Sequence, residues 1–468
     1  MKNYIIPQLF ILLTLFSGCE SFVDGWDESP NSATEATPAL LLTNSQVATF
    51  SVYTGQNART AAILMQQCTG VSDQMYDVVQ NYNISEGDVE NEWQSIYESG
   101  LQTPHTLIND YSEGYPYYQG MAKVLMAMNL GLATDLWGDI PFTEALQGLE
   151  GEEYYYPHFE SQEAIFSHVQ TLLDEGIAFL SEPVSANLIL PGADDIIFNG
   201  NAEAWIAAAW VLKARYAIRL TKKSEAEAID DAILYLSKAY EAGMINPEAN
   251  LNAYFDGSGN AQSQWWDFEN ERGGYMRMNE FFVTLLKDKS DPRLPYYVSE
   301  DGDGEYLGAP MGETSSTGYS YVGPVYNSPD ATLPLITFSE AKFIEAEAQF
   351  RKGNTDAAAD AYNAAVIASV ERITGEDIPE DYLAAEASET DASVSLEKIM
   401  TQKYIALFTQ PEVWADWRRT DIPSLSPYAE ATGVNNIPRR FPLALSERTN
   451  NPFSPDPVSI VVPVWWDE

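Results

Sequence analysis

A stripe of apolar side chains at helical spacing constrains the fold most. Met121, Val124, Leu125, Met128 and Leu132 fall at offsets of 3, 4, 7 and 11, which is one face of a helix. Trp137-Gly138-Asp139-Ile140-Pro141 stops it, since Gly and Pro both break helical backbone. Helical patterns also run from about Leu40 to Cys68 with a break at Gly55, from Glu90 to Asp110, from Ser161 to Leu180 and from Ala202 to Thr221. Ser224 with Glu227, and Thr337 with Glu340, have capping-box spacing and open two more. An all-α fold is predicted. Ala232, Leu236 and Ala239, and again Ala358, Tyr362 and Ala365, set small, large and small residues at offsets 0, 4 and 7. That is how one tetratricopeptide-type helix packs closely on its partner. Plain amphipathic helices would serve as well, and the two copies lie far more than one repeat apart. Irregular helix pairs with long insertions are therefore expected, not a regular solenoid.

The first residues bear on location. Met1-Lys2-Asn3 is a short positive start, Leu9 to Phe16 is apolar, and Ser17-Gly18-Cys19 follows. The apolar run is too short to span a bilayer, which takes roughly 20 residues. It fits a secretory leader, and a cysteine directly after Ser-Gly is the pattern of a bacterial lipoprotein signal. Residues 1–18 are expected to be removed, Cys19 to carry acyl chains, and 19–38 to form a polar tether. The rest, 39–468, is expected to be one helical domain. If Cys19 carries lipid, Cys68 has no disulfide partner, and its apolar neighbours Ala61 to Met65 make it a buried small side chain.

Composition narrows the partners. The apolar set makes up 45% and aromatics 12% of 468 residues, which excludes a disordered chain. Asp plus Glu number 69 against 25 Lys plus Arg, a formal net charge of -44. Such a surface repels phosphate backbones, so nucleic acid is not an expected partner. His105, His158 and His168 show no metal-ligand spacing, and no cofactor motif is present. Asp301-x-Asp303-x-Glu305 starts like a calcium loop, but Tyr306 stands where Gly is required and Gly312 where the bidentate Glu belongs. It reads as a solvated turn.

From about 246 to 330 the helical period gives way to Gly, Pro, Asn, Tyr and Trp. Long loops in a compact domain are usually functional or disordered, and aromatic content favours function. Sugar rings stack their C–H faces on Trp and Tyr while amides and charges bind the hydroxyls, so aromatics on loops with polar neighbours suit a neutral glycan. Two stretches qualify. One holds Asp73, Tyr76, Asp77, Asn81 and Tyr82; the other holds Trp265 and Trp266 with Arg272 and Tyr275 behind. Tyr319 and Tyr321, with Tyr326, form a weaker third. Adjacent residues in an extended segment point to opposite sides, so only one of Trp265 and Trp266 is expected to meet a sugar. Trp137, Trp205, Trp210, Trp414 and Trp417 lie in helical patterns or tight turns and are assigned to the core.

Several motifs then resemble one family. They are Ala133-Thr134-Asp135-Leu136-Trp137-Gly138-Asp139-Ile140-Pro141-Phe142, Asp291-Pro292-Arg293-Leu294, and the run from Phe338 to Ala348 containing Glu340 and Glu347. Gln402-Lys403-Tyr404-Ile405-Ala406-Leu407-Phe408, Glu412-Val413-Trp414-Ala415-Asp416-Trp417-Arg418-Arg419-Thr420 and Ile437-Pro438-Arg439-Arg440-Phe441 complete the set. In this order, behind a lipoprotein leader, the chain resembles the SusD/RagB-like nutrient-binding outer-membrane lipoproteins of Bacteroidetes over nearly all its mature length. The resemblance implies tetratricopeptide-like helix pairs, an anchor facing the cell exterior, and a SusC-like TonB-dependent transporter as partner. Ligand would pass inward without covalent change. The shared motifs look like scaffold, so no binding residue carries over from them.

The leading expectation is a non-catalytic receptor for a neutral poly- or oligosaccharide, a β-glucan among the candidates. A peptide-binding receptor on the same kind of transporter is the alternative. A surface glycoside hydrolase is a third, for which no motif speaks.

Overall fold

The computed structural model describes residues 36–468; the leader, Cys19 and most of the tether lie outside the described residues. Numbering helices of eight residues or more in chain order gives α1 (Pro38–Thr54), α2 (Gln56–Leu64), α3 (Gln102–Asp110), α4 (Pro116–Trp137), α5 (Gln162–Leu180), α6 (Ala202–Arg219) and α7 (Glu225–Glu241). There follow α8 (Gln264–Glu271), α9 (Glu280–Asp288), α10 (Phe338–Lys352), α11 (Thr355–Thr374), α12 (Leu396–Ala406) and α13 (Glu412–Thr420). Strands are short: β1 (Cys68–Gly70), β2 (Ile140–Pro141), β3 (Phe159–Glu160), β4 (Leu251–Ala253), β5 (Met276–Met278) and β6 (Leu333–Ile336). They pair antiparallel as β1–β5, β2–β3 and β4–β6. The fold is all-α. No helix among the described residues is long and apolar enough to cross a membrane.

Helices pack in antiparallel pairs, α4 on α5, α6 on α7 and α10 on α11, and the pairs join into one array through α5 on α6 and α7 on α10. The repeat-like triads fall on α7 and α11, and all six side chains are buried. They sit on the second helices of spatially adjacent pairs. The loop-rich stretch 246–330 intervenes in the chain but not in the array, which explains their distance in sequence. Where α4 crosses α5 the backbones nearly touch: a Cβ on Gly120 would lie 2.9 Å from the Gly176 carbonyl oxygen.

Local departures from the sequence reading have physical causes. Glu90 to Asp110 is not one regular helix, because Ser95–Leu101 is a π-helical stretch before α3. Asn129 from α4 donates to the Gly100 carbonyl at 2.9 Å inside that stretch. Thr337 caps α10 by accepting the Glu340 N–H at 3.1 Å, but the Glu340 carboxylate turns to Arg215. Ser224 precedes α7 without a side-chain cap bond. Pro38, expected in the tether, is already the first residue of α1, which Thr37 caps. Cys68 is buried in β1, and burial pushes its thiol pKa up.

Charged residues of the motifs that carry the resemblance meet Arg215 and Arg219 of α6 in a buried ion network. Arg215 grips Glu340 with two bonds of 2.6 Å, and Arg219 meets Asp135 at 3.1 Å and Glu412 at 2.7 Å. Arg419 takes Glu347 through both terminal nitrogens and also reaches Asp416 at 3.0 Å, which Lys403 holds at 2.7 Å. Arg293 binds Asp291 within its own turn, with Tyr382 and Gln402 around it. Burial works against the Asp416 carboxylate, yet Lys403 and Arg419 outweigh it and hold its pKa down at about 2. Burial wins at Asp135, raised to about 6 despite Arg219 and Arg418.

Candidate functional site

The two loops singled out by their aromatics are brought side by side by β1 and β5. Cys68 pairs with Met278 and Gly70 with Met276, so the segment after β1 runs beside the segment before β5. Val71 N–H donates to the Tyr275 carbonyl at 2.9 Å, continuing the pairing outward. A side chain at Gly70 would run into the Met75 carbonyl, so only glycine lets the chain turn into the π-helical segment Met75–Gln80. Asn81 holds that turn, donating to the Tyr76 carbonyl at 2.8 Å.

Two further segments join. The loop after α13 docks where Gly433 N–H donates to the Asn81 carbonyl at 3.0 Å and Tyr428 N–H to the Tyr82 hydroxyl at 3.2 Å. The 309–321 loop docks where Arg277 Nε donates to the Ser316 carbonyl at 2.8 Å. Burial and the neighbouring Tyr76 raise the pKa of the Tyr428 hydroxyl, and a side chain at Gly312, whose φ is +86°, would collide with the Tyr428 ring. The result is one face built from four distant stretches of chain.

The residues chosen from sequence divide on this face. Asp73, Asp77 and Arg272 are exposed, Tyr76, Trp266 and Tyr319 are half-buried, and Tyr321 is exposed at 40%. Arg272 Nη1 lies 3.5 Å from Gln74 Oε1, linking the two loops. Tyr319 donates to Glu313 Oε2 at 2.8 Å, and the Arg277 guanidinium lies 5.8 Å over the Tyr321 ring. Three side chains are elsewhere. Trp265 is buried edge-to-face against Phe408 at 5.8 Å, and Tyr82 is buried at 2% exposure. Asn81 is buried as well, its amide spent on the π-helical turn. The extended reading of Trp265-Trp266 is corrected: both sit on α8, where neighbours diverge by about 100°, so one faces the core and the other stands clear of it. Tyr326 is buried and stacks on Tyr297.

Beside the face, between α2, the π-helical turn and α8, lies a cavity of about 360 Å³. Gln74 and Arg272 belong to both the face and the cavity wall. Gln74 lies in the stretch singled out from sequence, whereas Tyr428, Arg59, Asn57 and Glu92 were not found there. Tyr428 lies in a Pro- and Ser-rich loop with nothing to tie it to Tyr82, and the charged pair sits inside helical patterns where charges read as solvent-facing. The 301–305 segment is a closed turn, Asp301 Oδ1 accepting from the Asp303 and Glu305 N–H groups at 2.8 and 2.9 Å. Among the described residues no group of three or more His, Cys, Asp or Glu is placed to hold a metal ion.

No curated protein matches the sequence. Solved structures match its fold. A SusD/RagB family protein of Bacteroides thetaiotaomicron VPI-5482 is 22% identical, with 92% of this chain and 99% of that one covered at a TM-score of 0.74. A chitin-binding SusD homolog of Flavobacterium johnsoniae is 20% identical, with 91% and 98% covered at 0.76. A SusD homolog of Bacteroides uniformis ATCC 8492 is 22% identical, with 92% and 99% covered at 0.73. Residues 30–443 match the SusD-like family described as starch-binding and associating with the outer membrane, and to that family this chain belongs.

Proposed function

We propose that this protein is a non-catalytic receptor that captures a neutral glycan at the cell surface and passes it to a SusC-like TonB-dependent transporter. In this reading Cys19 is acylated and holds it to the outer membrane, facing outward. The family description and the chitin-binding relative support a carbohydrate ligand. The observation that carries the reading is the face itself: Tyr76, Tyr428, Tyr319 and Tyr321 come from three separate loops and share it with Gln74 and Arg272. Tyrosine rings offer flat apolar area with a polar edge, and amide and guanidinium neighbours supply hydrogen bonds to hydroxyls. Trp266 on α8 is the remaining aromatic candidate, with Asp73 and Asp77 as polar contacts.

Affinity gels and calorimetry with starch, chitin, β-glucan and mannan polymers test it. One polymer is expected to retard the protein, and the double variant Tyr76→Ala with Tyr428→Ala to lose it. Removing one sugar-stacking ring costs on the order of 1–2 kcal/mol, about tenfold in affinity. Wild-type silence across the panel, with peptides recovered by mass spectrometry from the purified transporter complex, would refute the glycan reading.

A further inference from the structure

Exposed apolar side chains gather where the chain enters the fold. Ala36 is held at the turn between α3 and α4, where the Tyr111 hydroxyl donates to its carbonyl at 2.7 Å. The loop after α5 docks on the same turn: Leu188 N–H donates to the Gly114 carbonyl at 2.7 Å, and Asn187 Oδ1 accepts the Tyr117 N–H at 3.0 Å. From that loop Val184, Leu188, Ile189 and Leu190 stand out into solvent, 47 to 73% exposed. On α1, Leu40 and Val47 are exposed to a similar extent. Thr43 shares their helix face and donates to the Asp194 carbonyl at 2.7 Å, which seats that face beside the same loop.

Charge sets this surface apart. The chain carries a formal -44, yet Pro183 to Ala193 holds no charged residue, and neither does any part of α1. A helix face turned to water normally carries charged and polar side chains. Single exposed apolar residues need no explanation, but three in a row beside two more on α1 make a patch, and patches mark contacts. Glu113 and Glu182, which adjoin it in sequence, are exposed and begin the acidic surface again. An apolar patch gains free energy at the boundary between headgroups and acyl chains. Its want of carboxylates spares it the repulsion that the rest of the chain meets at an anionic membrane.

Position supplies the occupant. Cys19 stands 17 positions before Ala36, so even a fully extended chain keeps the patch within about 60 Å of an anchored sulfur. From there α1 leads away. Its 17 residues span about 25 Å, and at its far end a Cβ on Gly55 would lie 3.2 Å from Gln264 Oε1 of α8. A molecule resting on the patch leaves the tyrosine face uncovered.

We infer that Leu188, Ile189 and Leu190, with Leu40 and Val47 beside them, dip into the surface of the bilayer that holds the acylated Cys19. The inference rests on the lipid-anchor reading and adds a second membrane contact, made by the folded domain itself.

Full-length protein purified from membranes and placed in phosphatidylcholine vesicles tests it. An NBD fluorophore is attached at Ile189→Cys or, for comparison, at Asp267→Cys, an exposed position of α8. Cys68 is buried and Cys19 carries lipid in this reading, so only the introduced thiol reacts. The 189 emission is expected to shift to the blue on reconstitution and to be quenched by doxyl-labelled lipid, and the 267 emission to do neither. Leu190→Glu, at an exposed position, is expected to reduce the quenching at 189 and leave flotation and Tm unchanged. Protein that floats with the vesicles while its 189 probe stays unquenched, or is quenched no more than the 267 probe, overturns the patch and leaves the anchor standing. Protein that does not float overturns both. A blue shift at 189 that grows with protein concentration without lipid assigns the surface to a second copy, and one that needs added transporter assigns it to that partner; either outcome overturns the membrane contact.

Discussion

Replacing Glu347 by alanine strips Arg419 of both its bonds to that carboxylate and leaves it Asp416 at 3.0 Å, which Lys403 already engages at 2.7 Å. Arg419 is 3% exposed, so the guanidinium has no route to water. Arg351, which also donates to Glu347, lies nearer the surface and can be solvated. Breaking a buried pair by removing one partner costs about 3–5 kcal/mol, mostly the stranded charge. At ~2.1 cal/mol/K per residue, unfolding entropy for a chain of this length is about 0.9 kcal/mol/K, so a loss of ~4 kcal/mol lowers Tm by about 4–5 °C. Urea unfolding should show a lower midpoint at unchanged slope. The double variant Glu347→Leu with Arg419→Leu strands no guanidinium and should cost less than Glu347→Ala alone. A single-variant cost below ~1 kcal/mol, or a double-variant cost equal to the two singles added, would refute the view that this network is a closed unit whose energy lies in pairing. Glycan retention should be unaffected either way, since none of these residues reaches the tyrosine face.

Acid should weaken the same network. The folded Asp416 pKa is about 2 against an ordinary 3.8, so its contribution is present above pH ~4 and lost as pH falls toward 2, readable as a declining urea midpoint. Trp265→Ala empties a core position against Phe408 and should cost about 3–5 kcal/mol, whereas Trp266→Ala should leave Tm nearly unchanged and lower glycan retention. If Trp265→Ala is as stable as wild type, its assignment to the core fails. Cys19→Ser should release the protein from membranes into the soluble fraction of lysed cells; equal retention in the membrane pellet would refute the lipid anchor.

The scaffold was legible where physics is local. Apolar residues three and four apart marked α4, although the helix proves buried on nearly every side, and Gly138, at φ +84°, closes it where the Gly-Pro punctuation predicts a stop. What periodicity could not supply was the fate of the charges. Asp135, Arg215, Arg219, Glu340 and Glu347 occupy helices, where a charge is expected to face water, yet they pair inside the core. No spacing rule distinguishes such a residue from a solvated one; the likeness to a family marked the segments of Asp135, Glu340 and Glu347 as scaffold, and nothing marked Arg215 or Arg219.

The site failed to show itself for a different reason. Gln264 to Glu271 is a helix of eight residues flanked by Gly-rich loops, too short to leave a helical period, so an extended reading misjudges how its two tryptophans diverge. The face depends on contacts that join Thr69 to Asn279 across 210 residues and Tyr82 to Tyr428 across 346. Each is a single hydrogen bond or a three-residue pairing, with no alternation long enough to announce a strand. Composition can say that an aromatic loop is reserved for function, because burying it elsewhere would have been the default. It cannot say which ring the fold then draws into the core, and here Tyr82 and Trp265 were taken to seat the loops that hold Tyr76 and Trp266 nearer the surface. The aromatic count of such a loop therefore overstates its binding surface, and the anchoring rings are the ones whose loss should unfold the face before it weakens any ligand.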